Sequence, residues 1–319
     1  MRKNGSNKKV VVIGGGHGQA AICRGIKNIE DIDITAIVTV ADDGGSTGRL
    51  RKKFHIPAMG DIRNVMISLA ESESLMSKLM DYRFEDVSGN AEDVEGHNLG
   101  NLVLTALTDQ CGSFLEAIQE VEQVLNVRGK IVPASTQVIT LFARMEDGVI
   151  VRGEANIPEA CNRISEVYYE EDVKATPEAI HAILDADLIL YGIGSVYTSI
   201  LPNIIIPEIK KALAFSKGKK VYLCNAMTQP GETDNYSVED HVDALIKHGC
   251  SLDAVLIAKD NIPEEQIILY NKEGSIPVVM RKDKHNYDIL EEELLDFSNF
   301  LVRHDPNKIE KAIRDLLED

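Results

Sequence analysis

The chain has 319 residues, 44% of them apolar, and its 51 acidic side chains outnumber 34 basic ones for a formal charge of −17. That length and apolar content suit one large α/β domain, and the charge argues against duplex nucleic acid or an anionic membrane surface as a general partner. Five scattered cysteines without a Cys-x-x-Cys pair, and no apolar run near the ~20 residues of a spanning helix, predict a cytoplasmic protein with no zinc site and no membrane insertion.

The polar start, Met1 to Lys9, has no signal-peptide core and leads into the apolar run Val10-Val11-Val12-Ile13. Gly14-Gly15-Gly16-His17-Gly18 follows, and a helix is expected over residues 19–27. Gly16-x-Gly18-x-x-Ala21 has the spacing of the dinucleotide fingerprint, placed between a strand and a helix as the mechanism requires. A tight strand-to-helix turn with no phosphate would carry the same spacing. The next strand is predicted over 35–40 and ends on Asp42-Asp43-Gly44-Gly45-Ser46-Thr47-Gly48. Apolar residues Ile62, Val65, Met66 and Leu69 recur at helical spacing over 61–70, with Asp61 read as the N-cap. Residues 81–96 turn acidic and poorly periodic, reading as a mobile surface connection, before His97-Asn98-Leu99-Gly100-Asn101 opens another helical pattern to residue 107. Apolar runs over 138–145 and 149–154 flank Glu146-Asp147-Gly148, a hairpin signal.

Strand and helix patterns then alternate again: a strand over 187–191 running into Gly192-Ile193-Gly194-Ser195, a helix over 202–215, strands over 220–224, 254–258 and 277–280, and a last helix over 307–317. This alternation predicts a doubly wound, mostly parallel α/β sheet, Rossmann-like in plan, with an antiparallel β excursion. No repeat or shift in composition divides the chain, so residues 1–319 read as one domain with 130–157 as a hairpin insertion.

Three glycine-rich turns after strands predict one ligand cleft at the strands' carboxyl ends, with Gly15, Gly16, His17, Gly18, Gly45 and Gly194 among the lining residues. Asp42 and Asp43 stand where an acidic residue of a dinucleotide fold accepts ribose hydroxyls. Ser46, Thr47, Arg49 and Arg51 offer donors to a diphosphate. Asp43 with Asp61 could instead hold Mg2+, which takes carboxylates together with phosphates, or these aspartates could serve only as turn formers and a cap. Asn64, Asn98 and Asn101 could read a base, sugar or carbonyl, although asparagine is also a common cap. Ser195, Thr198, Asn225 and Thr228 add polar groups after later strands, and Arg303 could bring a cation to the cleft or, as the favoured reading, lie on a solvated surface loop. No Gly-x-Ser-x-Gly elbow supports a catalytic serine, and no acid/base pair accompanies the fingerprint, so NAD(P) is not favoured and no cofactor is required.

Six motifs together carry a family resemblance: GGGHGQA from Gly14, ADDGGSTGRLR from Ala41, GDIRN from Gly60, HNLGN from His97, GIGSVYTSILPN from Gly192 and NAMTQPGETDNY from Asn225. Nearly end to end, the chain resembles the gluconeogenesis factor family of the YvcK type, within the group that includes the phospholactyl transferase of deazaflavin cofactor biosynthesis, CofD. The resemblance implies a Rossmann-like fold and a cytoplasmic bacterial protein that binds UDP-sugars such as UDP-N-acetylglucosamine. It also implies a need for the protein in cell shape and cell-wall homeostasis during gluconeogenic growth. A protein partner in cell-wall or carbon regulation and a homo-oligomeric state are expected with it. The transferase branch implies the competing activity, magnesium-assisted transfer of a phospholactyl group from a guanosine diphosphate conjugate, with Asp43 and Asp61 as metal candidates. The second loop and the TQPGET segment look like the gluconeogenesis factor branch.

Overall fold

The computed structural model describes residues 7–71, 75–85 and 94–318. Strand β1 (Lys8–Gly14) is apolar at Val10, Val11, Val12 and Ile13, and all four are buried, because strands covered on both faces read as continuous apolar runs rather than alternating ones. It pairs in parallel with β2 (Ile32–Val38) on one side and, on the other, with a strand that returns much later in the chain. Between β1 and β2 runs α1 (Gly16–Ile26). After β2 come α2 (Gly45–Phe54), α3 (Gly60–Leu69), α4 (Leu75–Asp81), α5 (Leu99–Cys111) and α6 (Phe114–Leu125), and then β3 (Lys130–Pro133), parallel to β2. A small antiparallel sheet follows: β4 (Phe142–Met145) lies between β5 (Ile150–Arg152) and β6 (Ile164–Tyr168). The main sheet resumes with α7 (Pro177–Leu184), β7 (Leu188–Tyr191), α8 (Leu201–Ile204), α9 (Pro207–Phe215), β8 (Lys219–Leu223), α10 (Val238–Lys247), β9 (Ala254–Ala258), α11 (Glu264–Lys272) and β10 (Asp288–Glu292), before α12 (Pro306–Glu318).

The strand order β10-β9-β8-β7-β1-β2-β3, with every pair parallel, gives the expected doubly wound α/β sheet, and the antiparallel excursion is present beside it. Because β1 leads outward to β2 while β7 leads outward to β8, the direction of winding reverses between β1 and β7. A crevice opens at their carboxyl ends for that reason.

Several boundaries differ from the sequence reading. Residues 130–133 belong to the parallel sheet, so the excursion spans 142–168 and includes a third strand, β6. Residues 277–280 form no strand of the main sheet. Pro277 offers no N–H, and the segment packs instead on the loop after β8, Val278 donating to Ala226 O and Val238 to Val279 O. The sheet ends on β10, which alternation does not betray because it carries Asp288, Glu291 and Glu292 on an edge. The helix expected over 202–215 is broken, since Ile206 precedes Pro207 and is pushed to extended backbone at φ −67°, ψ 122°. Asp61 is not a cap: Met59 holds that position, and Asp61 sits in the first turn of α3. Most of the acidic stretch after residue 81 falls at 86–93, outside the described residues.

The far edge of the sheet is protected. Ile131 presents its N–H outward from β3 to Glu122 Oε1 at 2.6 Å, and the next outward position is Pro133, which has no N–H to offer. A bare row of donors at an edge strand would template pairing with another chain.

Candidate functional site

The site is built where the winding reverses. The turn after β1 and the turn after β7 touch backbone to backbone: a Cβ on Gly18 would stand 2.2 Å from Ile193 O and 2.9 Å from Gly194 N. Only glycine allows that approach. Asn225, just beyond β8, ties the second turn from above, accepting from Gly194 N at 3.2 Å and donating to Gly194 O at 2.9 Å. A third strand end joins them, because the residues after β2 lead through Asp42 and Asp43 into α2.

Both helices that start here are capped by glycine. Gly15 precedes α1 and Gly44 precedes α2, each in extended backbone and neither with a side chain to accept a first-turn N–H. Such helix starts carry partial positive charge and lack a capping side chain of their own; Asp61 takes the Gly16 N–H, and the first-turn donors beyond it suit an anionic group. Gly45, the first residue of α2, is exposed at φ +45° with nothing within 4 Å of where a Cβ would lie, so the space before this helix is open. His17, in the first turn of α1, is exposed too.

Five carboxylates converge on the same crevice. Asp42 accepts from Gly44 N at 2.9 Å and from the Thr47 side chain, and Asp43 Oδ1 accepts from Ala155 N at 3.0 Å. Asp61 accepts from Gly16 N at the start of α1. Glu154 arrives from the turn after β5, and Glu232 from the loop after β8, where it receives Ser195 Oγ, Thr198 Oγ1 at 3.2 Å and Gln229 Nε2 at 2.5 Å. Burial is the first cause that raises four of these acids, Asp42, Asp61, Glu154 and Glu232, above the ordinary carboxylate value. Asp61 is pushed up to about 7, with the charge of Asp42 adding to burial. Glu154 rises to about 8, with Asp42, Asp61, Glu232 and Asp43 adding in that order. Glu232 rises to about 7 against the pull of its three side-chain donors, and Asp42 is raised as well. A crevice so loaded with carboxylate favours a proton, a cation or a ligand that brings hydroxyl donors.

Among the described residues, no three histidine, cysteine or carboxylate groups are arranged to hold a metal ion. The carboxylate whose charge bears most on Asp61 is Asp42, whereas Asp43 turns to the Glu154–Asn156 turn. Two carboxylates completed by phosphate oxygens still form a donor set that Mg2+ accepts, so these residues fit the ion only together with a phosphorylated ligand.

The remaining residues that the sequence singles out are placed as follows. Arg51 is buried and donates to Ala41 O at 3.2 Å, Asp42 O at 2.7 Å and Ile139 O, which makes it a latch on the second loop rather than a free phosphate ligand. Arg49 donates to Glu95 O at 2.8 Å. Ser46 Oγ, buried at the start of α2, lies 2.9 Å from His97 Nδ1 and accepts from Asn101 Nδ2 at 3.3 Å, while Thr47 supports Asp42. Asn98 caps α5, accepting from Gly100 N at 2.9 Å, and Asn64 accepts from Arg63 at 2.6 Å. Thr228 is buried and accepts from Ile276 N at 2.9 Å. Arg303 is exposed on a two-residue ribbon opposite Asp296. Sequence reasoning missed Glu154 and Glu232 as members of the crevice. Glu154 carries no local signal, and only the position of Glu232 inside the polar TQPGET loop hints at its use. A separate cavity of about 970 Å3 lies along the amino ends of β1, β2 and β3, at the opposite end of the sheet.

The comparisons agree with this architecture. The family described as 2-phospho-L-lactate transferase CofD matches residues 10–295. A Bacillus subtilis protein named gluconeogenesis factor is 44% identical over 99% of this chain and 100% of its own length. A Thermotoga maritima protein named putative gluconeogenesis factor is 44% identical over 96% of this chain and 98% of its own. An X-ray crystal structure of a Bacillus halodurans protein superposes with a TM-score of 0.92 at 43% identity, covering 97% of this chain and 99% of that one.

Proposed function

Because the chain belongs to the CofD family, in the group whose relatives are named gluconeogenesis factor, we propose that it is a regulatory protein that binds a nucleoside diphosphate sugar of the UDP-N-acetylglucosamine type. Its setting in this reading is the cytoplasm, and its role is in cell shape and cell-wall homeostasis during gluconeogenic growth. The observation that carries the ligand is the pair of glycine-capped helix starts, α1 and α2, opening on one crevice at the reversal of the sheet. A diphosphate takes the open amides, and the surrounding carboxylates accept hydroxyls of the ribose. Mg2+, where present, would sit between Asp42, Asp61 and the phosphates, offsetting the crowding of negative charge there.

The second reading is a transferase of the phospholactyl type, favoured by the family match and by the acids of the crevice with raised proton affinity. Titration calorimetry with UDP-N-acetylglucosamine, with and without Mg2+, followed by chromatography of the recovered nucleotide, separates the two. Binding with the ligand recovered intact supports the regulator. Absence of binding, together with turnover of a guanosine diphosphate conjugate, would move the assignment to the transferase.

A further inference from the structure

Beside the crevice lies a second hollow of about 600 Å3, which shares one wall with it: Glu232 lines the hollow while its carboxylate holds Ser195 and Thr198 of the turn after β7. The other walls come from the segment before β6, with Asn162 and Arg163, and from Asp234, Asp240 and Arg281. None of these residues takes part in the diphosphate cradle. The small antiparallel sheet creates the hollow, because it carries the 154–163 segment across the top of the crevice, where Pro158 O stands against Gly231.

The charges of this hollow are already arranged. Arg281 is held by Asp240 at 3.2 Å and by Asn235 O at 2.8 Å. Arg163 lies over the Tyr236 ring, 5.6 Å from its centroid, and pairs with Glu146 at 3.3 Å. Three carboxylates, Glu232, Asp234 and Asp240, therefore line the hollow against two guanidinium groups that both have partners. An anionic group entering here would face the carboxylates of Asp234 and Asp240 and, among the described lining residues, no guanidinium without a partner to offset its charge. A neutral group bearing several hydroxyls carries no such charge, and the lining supplies the groups that pair with hydroxyls: carboxylate oxygens that accept and the guanidinium and amide N–H groups of Arg163 and Asn162 that donate.

We infer that this hollow is the subsite for the sugar of the conjugate, and that it selects neutral polyhydroxylated groups over carboxylate-bearing ones. The inference rests on the diphosphate reading of the neighbouring crevice. It also bears on the choice between the two functions, because a phospholactyl group carries a carboxylate that this subsite rejects.

The hollow contains its own reporter. Cys161 lines it and is exposed, whereas Cys23, Cys224 and Cys250 are buried and Cys111 lies on α5, away from the hollow. The experiment is alkylation of the full chain by iodoacetamide, read at each cysteine by peptide mass spectrometry, with UDP, UDP-glucose or UDP-N-acetylglucosamine at saturation as judged by calorimetry. The expected result is that both UDP-sugars slow modification of Cys161 at least fivefold while UDP does not, and Cys111 reacts equally throughout. Asn162→Ala should lower UDP-sugar affinity about three- to tenfold and leave UDP affinity unchanged, the range expected for one lost hydrogen bond. If UDP binds but the sugars neither protect Cys161 nor add affinity, the subsite is overturned while the crevice stands. If neither UDP nor a UDP-sugar binds, the reading of the crevice itself fails.

Discussion

Asp61→Asn tests the electrostatics of the crevice directly. The Asp61 carboxyl rises from 3.8 to about 7 in the folded chain, through burial first and the charge of Asp42 second. A folded pKa above the unfolded one contributes stability that is complete below pH 4 and is lost as pH rises through 7. Between pH 5 and pH 8 the wild type passes through roughly two pH units of that interval, which at about 1.4 kcal/mol per unit is at most ~3 kcal/mol, lowered somewhat by the partial exposure of Asp61 to water. Asn cannot ionise, and its Oδ1 can still accept the Gly16 N–H. Urea unfolding of both proteins in metal-free buffer should therefore show Asp61→Asn gaining about 2–3 kcal/mol on the wild type from pH 5 to pH 8. Adding Mg2+ and UDP-N-acetylglucosamine at pH 8 should raise the wild type more than the variant. Parallel pH profiles for the two proteins would falsify the argument, because they would mean that Asp61 is ionised and well paired throughout.

Three further substitutions probe the frame around the site. Gly18→Ala forces apart the turns after β1 and β7, since the added methyl has only 2.2 Å to a backbone carbonyl; we expect a loss of about 1–3 kcal/mol in urea unfolding together with weaker nucleotide binding, and wild-type behaviour in both would refute the contact. Arg51→Lys keeps the charge but cannot reach Ala41 O, Asp42 O and Ile139 O together, so stability should drop by about 1.5–3 kcal/mol; a silent substitution in the same assay would mean that the latch does no work. Glu122→Ala uncovers the outward N–H of Ile131 and should cost about 1–2 kcal/mol, accompanied by concentration-dependent association in analytical ultracentrifugation; no change in either would show that the edge needs no cover.

The fold class was legible in the sequence because its signals are local. Continuous apolar runs such as Val10 to Ile13 ending on glycines announce strands buried on both faces, and the GDIRN and HNLGN segments announce helix starts. The three glycine turns could be assigned to one cleft because parallel strands put their carboxyl ends on one rim. Which side chains of those motifs point into the cleft could not be read the same way. Arg49 and Arg51 share a motif with Gly45, yet one guanidinium reaches Glu95 O and the other is buried beneath the loop. Glu154 and Glu232 join Asp42 and Asp61 from positions 93 or more residues later in the chain, brought there by the small antiparallel sheet and by the loop after β8. Alternation and capping residues report on interactions over a few positions. The carboxylate crowding and the hollow beside it come from contacts between segments distant in sequence, so only the tertiary structure could decide them.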